Sequence, residues 1–363
     1  MGRTSGGQPY LEYGFGYDRL GVARITSLDT GIVMRVVDST VVNYKVQLSK
    51  NHFAFLPRSN FTKDKTLGYP EYYLASSWLA SGDDKYDYVR ILLDEKLPYK
   101  SIQQINPSRL VIDIYGVTSN TNWVNHQSSA KEVRNISYEQ TEDDVYRVTI
   151  ELNHFQHWGY KIYYEGKRLV VRIKRQPNDL DLKKMKVAVD AGHGGNNPGA
   201  TGITTKIVEK NYTLLIAKAL ETELIDENAS VFMTRTTDVS LSMTERIKLV
   251  EEQEPDFLIS IHLNSSVRDS IKGVSTYYRH YGFKPLSVFI LKRLTDTGLA
   301  EFGNIGNFNF SLNGPTEYPN CLVEVAFLSN QEDEKLILDP SFHKTVAKGI
   351  VDGIKDWLKY CKD

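Results

Sequence analysis

Lys186-Val187-Ala188-Val189-Asp190-Ala191-Gly192-His193-Gly194-Gly195 is where the reading of this chain turns. A short apolar strand ends at an acidic residue and runs into a glycine-rich loop that carries a histidine. Glycines on both sides of His193 let backbone and ligand approach closely. Downstream, strands and helices alternate. A helix is predicted over 210–226, with Tyr212, Leu215, Ile216, Ala219 and Leu220 at helical spacing. Then come a strand at 231–234, a helix at 242–252, strands at 257–262 and 273–278, a helix at 285–297, a strand at 321–327 and a last helix at 341–360. This alternation predicts an α/β domain over 184–363, a mixed, mostly parallel twisted sheet flanked by helices.

Upstream the grammar is different. Sixteen of the 22 tyrosines precede residue 181, as do Trp78, Trp123 and Trp158. Short runs rich in Val, Ile and Thr, such as Tyr88-Val89-Arg90-Ile91-Leu92-Leu93 and Leu110-Val111-Ile112-Asp113-Ile114-Tyr115, favour pleated, half-buried surfaces. An all-β half is expected in two parts, a small domain over 1–80 and a second set of strands over 81–178. Strand density over 20–65 suggests an SH3-like barrel, and Gly68-Tyr69-Pro70 through Ser81-Gly82-Asp83-Asp84 reads as a connection. Arg175-Gln176-Pro177-Asn178-Asp179 reads as the linker into the α/β domain.

Composition bounds the function. The 363 residues are 41% apolar and 25% charged, which is ordinary for a soluble globular protein. A net charge of −1 argues against a nucleic-acid binder that relies on bulk charge. No apolar run approaches the ~20 residues that a membrane helix needs. Cys321 and Cys361 are too few for a disulfide framework or a cysteine-rich zinc site. The polar, Gly-rich start at Met1 does not read as a signal peptide, so any export signal is expected to lie outside the given sequence.

Four residues suggest chemistry. His193 follows a strand immediately, and Glu209 opens a helix, where the dipole favours a carboxylate. His262 closes a strand, and Glu324 sits inside Cys321-Leu322-Val323-Glu324-Val325-Ala326-Phe327. A carboxylate within such a run should be buried or nearly so, which is costly unless it is paired, near a metal or catalytic. A structural salt bridge or a half-wet edge strand would explain it equally well. Two histidines and one carboxylate match a zinc site that keeps its fourth position for water. His193, Glu209 and His262 would be the ligands, with Glu324 as the acid/base. The intervals of 16, 53 and 62 positions are not local, so spacing alone is weak support. His52, His126, His154, His157, His280 and His343 read as surface or packing residues.

Other readings are weaker. The glycine spacing after Asp190 is wrong for a dinucleotide fingerprint, no Gly-Lys-Ser/Thr follows and HExxH is absent. Cys321 lacks the local context of a thiol nucleophile. A non-catalytic binding or scaffold protein with a decayed site is the reading from a different class.

Over 185–357 the residues resemble the catalytic domain of zinc-dependent N-acetylmuramoyl-L-alanine amidases, which cleave bacterial peptidoglycan. The resemblance rests on Val187 through Gly195, Asn197-Pro198-Gly199-Ala200, Glu209-Lys210, Thr234-Arg235-Thr236-Thr237-Asp238 and Leu241-Ser242-Met243-Thr244-Glu245-Arg246. It continues through Pro255 to Asn264 and Pro319 to Asn330. It implies one Zn²⁺ on His193, Glu209 and His262, with Glu324 as the catalytic glutamate. The chain departs from the pattern at Ala191, where proline is common. It also has Ser311-Leu312-Asn313-Gly314 where relatives often carry a cation, and it leaves no room before Pro319 for a long autoinhibitory helix. Residues 86–175 resemble the AMIN β-sandwich, which implies targeting to peptidoglycan or the envelope. Peptidoglycan and an envelope activator protein are the implied partners, without nucleic acid or a membrane span, and a monomer is expected. The implied location is the periplasm, cell envelope or exterior of a bacterium. Trp123, Trp158 and Tyr160 are candidates for stacking on sugar, with packing the favoured reading.

Overall fold

The computed structural model describes residues 1–14, 21–68 and 72–362, which form two compact units, Met1–Gln176 and Pro177–Asp363. In the first unit, residues 2–63 build a seven-stranded antiparallel sheet, in the order Arg24–Ser27, Tyr10–Glu12, Phe53–Pro57, Asn43–Gln47, Val33–Ser39, Gly2–Thr4, Phe61–Lys63. A four-stranded antiparallel sheet runs Tyr99–Ile105, Ser108–Tyr115, Val145–Leu152, Val133–Glu142. A six-stranded sheet runs Val117–Ser119, Tyr73–Gly82, Tyr86–Leu93, Arg168–Lys174, Tyr160–Glu165, with Val124–His126 also beside Tyr73–Gly82. Period-two alternation turns Val89, Ile91 and Leu93 inward on one sheet, and Leu110, Ile112 and Ile114 inward on another. These side chains belong to one apolar core that extends from Leu11 to Ile173.

One expectation for this half is corrected. The supposed connection over 68–84 contains the ten-residue strand Tyr73–Gly82, so a boundary at 80/81 would cut a strand; Tyr69 and Pro70 lie outside the described residues. Serine and alanine hid the strand, because the buried positions Ala75, Trp78 and Ala80 carry mostly small side chains. Trp158 and Tyr160 are buried, with Trp158 Nε1 donating to Gln176 Oε1 at 3.1 Å and the Tyr160 hydroxyl 2.8 Å from Ser101 Oγ. Only Trp123 of the three aromatics is exposed.

His157 is buried and its Nε2 donates to Gln104 O at 2.8 Å. Burial pushes its pKa down to about 4. The unfolded chain therefore takes up a proton near pH 6.5 that the folded unit refuses. Stability is full above pH 6.5 and falls as the pH drops towards 4, by about 3 kcal/mol for this group. Melting curves between pH 7 and pH 4 are expected to show that loss, and His157→Gln should flatten it.

In the second unit a six-stranded sheet runs Ser230–Met233, Lys186–Ala191, Phe257–Asn264, Asn320–Phe327, Val274–Tyr277, Glu301–Ile305. All neighbours are parallel except Val274–Tyr277 against Asn320–Phe327. Helices α1 (Glu209–Asp226), α2 (Met243–Gln253), α3 (Lys284–Asp296), α4 (Gln331–Ile337) and α5 (Pro340–Tyr360) complete it. Ile247 and Val250 of α2 pack on Ala188 and Leu258 on one face of the sheet. On the opposite face Trp357 of α5 meets Phe257 edge-on at 5.3 Å. The inner stripe of α1 is Thr213, Ile216, Ala217, Leu220 and Leu224, whereas Leu215 is exposed. The pattern-based stripe was one position out of phase, which a 3.6-residue period tolerates. Among the described residues no helix is long and apolar enough to cross a membrane.

Candidate metal centre

Open parallel sheets bind ligands beyond the carboxyl ends of their strands, where the strand order reverses. Here that point lies between Lys186–Ala191 and its neighbour Phe257–Asn264, because the chain goes from the first strand to the edge strand Ser230–Met233 and returns on the other side. His193 leaves the end of one of these strands and His262 sits near the end of the other. Glu209, the first residue of α1, reaches in between.

His193 Nε2 and His262 Nδ1 each lie 3.0 Å from the same oxygen, Glu209 Oε1. The three side chains offer ligand atoms that all fall within 4.8 Å of one another. The imidazoles meet edge to face with centroids 4.9 Å apart. Glu209 Oε1 also accepts from Leu263 N at 3.0 Å, and Oε2 accepts from Ala200 N at 2.8 Å. Burial alone would raise the Glu209 carboxyl, but the two imidazoles outweigh it and hold it well below the usual range. Burial works against charge on His193 too, yet its contact with Glu209 lifts it above the ordinary imidazole value.

The surroundings suit a cation. His262 Nε2 is buried and has no hydrogen-bond partner among the described residues. Two imidazoles and a carboxylate are a donor set that zinc takes. Glycine keeps the space open: a Cβ on Gly192 would stand 2.4 Å from His262 Cε1, and one on Gly199 would stand 2.5 Å from Glu209 Oε2. Gly192→Ala should therefore push the His262 ring aside and weaken zinc uptake at least about tenfold, read as zinc per chain after dialysis.

Glu324 pairs with His262 in the parallel register, so it stands about 4.8 Å away in backbone spacing on the same face. It is the one residue of Asn320–Phe327 that is half-buried rather than buried, so the expected near-complete burial is corrected. Phe310 packs edge-on against His262 at 5.4 Å. The turn Ser311–Asn313 carries no cation, and its Leu312 and Asn313 are buried. The remaining histidines stay outside the cluster: His280 Nε2 donates to Gly314 O and His343 Nε2 to Ile337 O. Burial pushes the Cys321 thiol up, which disarms it as a nucleophile. The loop after Asp190 does not lead into a helix until Glu209, unlike a nucleotide-binding turn.

Sequence reasoning named no role for several residues here. Asn197 Oδ1 accepts from His193 Nδ1 at 3.0 Å and from Gly199 N at 3.1 Å, which fixes both the amide and the ring. Asp190, Arg235 and Arg246 are buried behind the loop. Asn197, Arg235 and Arg246 all stand in blocks that carry the resemblance, so their positions were marked in the sequence, but what they bond to was not.

A family model for N-acetylmuramoyl-L-alanine amidases matches residues 187–356, and one for the AMIN domain matches residues 79–173. The chain belongs to the N-acetylmuramoyl-L-alanine amidase family and carries an AMIN domain. The amidase domain is similar to the probable cell wall amidase LytH of Staphylococcus aureus, 31% identical over 175 residues, 48% of this chain and 58% of that protein. The chain thus spans little more than half the length of the curated relatives it matches. Among solved structures, the catalytic domain of CwlV, an N-acetylmuramoyl-L-alanine amidase from Bacillus (Paenibacillus) polymyxa var. colistinus, is 35% identical. It covers 48% of this chain and 98% of that one, with a TM-score of 0.46. The N-acetylmuramoyl-L-alanine amidase from Clostridium difficile 630 is 30% identical over 48% of this chain and 97% of that one, with a TM-score of 0.46.

Proposed function

We propose that this amidase hydrolyses the amide bond between the lactyl group of N-acetylmuramic acid and L-Ala of the peptidoglycan stem, with His193, Glu209 and His262 holding one zinc ion. The observation that carries the reading is the convergence of three ligand atoms within 4.8 Å of one another, with His262 Nε2 buried and without a hydrogen-bond partner among the described residues. A zinc ion held there supplies Lewis acidity for the scissile carbonyl and a nucleophile at neutral pH. Glu324 takes the proton of the attacking water and returns it to the leaving amine. Asn197 keeps His193 in one tautomer, and Phe310 excludes water from one side of His262.

The AMIN domain, matched over residues 79–173, is read as the targeting domain that brings the enzyme to the wall, in the periplasm or cell envelope, with the seven-stranded sheet over residues 2–63 left without an assigned role. One solved relative, the CwlD amidase from Clostridioides difficile, is in complex with the GerS lipoprotein. An envelope activator of that kind is a candidate partner here. A catalytically inactive scaffold is the disfavoured alternative, because the cluster and Glu324 are all present.

The test is digestion of purified peptidoglycan with products read by mass spectrometry. Free stem peptides with an L-Ala amino terminus are expected, and none after chelation. Release of muropeptides with the lactyl amide intact would overturn the assignment.

A further inference from the structure

Behind the cluster, buried side chains serve the backbone carbonyls of three consecutive residues, Ala191, Gly192 and His193, where the strand Lys186–Ala191 ends. Arg246 of α2, 1% exposed, donates through one terminal nitrogen to Ala191 O at 2.9 Å and through the other to His193 O. Arg235, 3% exposed, donates from Nε to Ala191 O at 2.8 Å and from a terminal nitrogen to Gly192 O at 2.9 Å. The same nitrogen reaches Lys210 O at 2.8 Å, the residue next to Glu209. Thr213 Oγ1 adds a bond to Gly192 O at 2.8 Å. Asp190 balances Arg246 at 2.5 Å and also accepts from Ser260 Oγ at 2.7 Å, two residues before His262. The network therefore reaches the backbone of His193, the residue that follows Glu209 on α1 and the strand of His262.

His193 needs this support. Its φ of 61° lies in the left-handed region, which an L residue with a bulky side chain occupies only when its surroundings enforce it. A buried ion pair is poor evidence of stability in itself, since apolar residues often serve as well. What it provides here is geometry: a planar guanidinium fork can cap two carbonyls at fixed angles, and an ammonium cannot.

We infer that Arg235 and Arg246 are positioning residues, a double guanidinium clamp that holds the His193 loop in register with Glu209 and His262 for metal capture. The inference rests on the reading of the cluster as a zinc site. Neither arginine is assigned contact with substrate or with the ion.

The test uses the full chain, stripped with a chelator, in four forms: wild type, Arg235→Lys, Thr213→Val, and the double variant Asp190→Leu with Arg246→Met, which removes both members of the buried Asp190–Arg246 pair together. Zinc affinity is measured by competition with a chromophoric chelator, the visible spectrum is recorded after cobalt loading, and the metal-free melting temperature is recorded beside them. Arg235→Lys and the double variant are expected to bind zinc about 10–100-fold more weakly, with a shifted cobalt spectrum and a metal-free melting temperature close to wild type. Thr213→Val, a near-isosteric change, should weaken binding several-fold. Wild-type affinity and spectrum in the folded variants would overturn the clamp. If the charged-site variants do not fold, Thr213→Val decides, and unchanged affinity there overturns it. A wild-type chain that takes up no zinc removes the metal reading and the clamp with it; a zinc-binding wild type with unaffected variants removes the clamp alone.

Discussion

Replacing Glu324 by Gln is expected to leave one zinc per chain and to lower release of stem peptides by about 10²–10⁴-fold, the usual worth of a positioned general acid/base. The register places Glu324 beside His262, yet it is not among the three side chains whose ligand atoms converge. It is half-buried where its strand neighbours are buried. Glutamine keeps the shape and loses only the proton chemistry, so metal content and melting temperature should hold while turnover collapses. Metal analysis and product release on the same preparation separate the two effects. Substantial turnover by Glu324→Gln would remove Glu324 from its role without touching the metal assignment.

The second large effect concerns the metal itself. His262→Ala is expected to cut zinc affinity by more than about 100-fold and activity to background. Loss of a residue that only orients a ligand already costs about 10–100-fold, and loss of a ligand must cost more. His262 is 6% exposed, and its removal also leaves Glu209 with one imidazole in place of two. Chelation of the wild type should give the same loss of activity, and added zinc should restore it only where all three side chains are present. Equal zinc binding by wild type and His262→Ala would show that the ion sits elsewhere.

The strands that build the cleft were legible because they are apolar runs bounded by turn residues. Lys186–Ala191, Phe257–Asn264 and Asn320–Phe327 all lie in the sheet, and the start of α2 shows in Ser242 and Glu245, which cap it reciprocally. Glu301–Ile305 escaped notice because Gly303 and Asn304 break the β-branched pattern at a sheet edge. α4 has seven residues, too few for a period to show. His193, Glu209 and His262 were candidates from local context: a glycine-flanked imidazole, a helix-start carboxylate and a strand-end imidazole. Their convergence was not in the spacing; it arises when adjacent parallel strands carry His193 and His262 to one end of the sheet and α1 sets Glu209, 53 positions before His262, between them. The clamp was invisible for the same reason. Arg246 and Asp190 are 56 positions apart, and each reads as an ordinary charged residue until the fold buries both. Trp158 and Tyr160 show the opposite case, since an aromatic in a β-rich half looks the same whether it faces water or core.

The most direct measurement is the anomalous scattering of crystals of the zinc-loaded chain on the two sides of the zinc absorption edge. One strong peak bound by His193, Glu209 and His262, at about 2.0–2.2 Å from each, is the predicted result. No peak there with zinc in excess, or a peak held by other side chains, would contradict it.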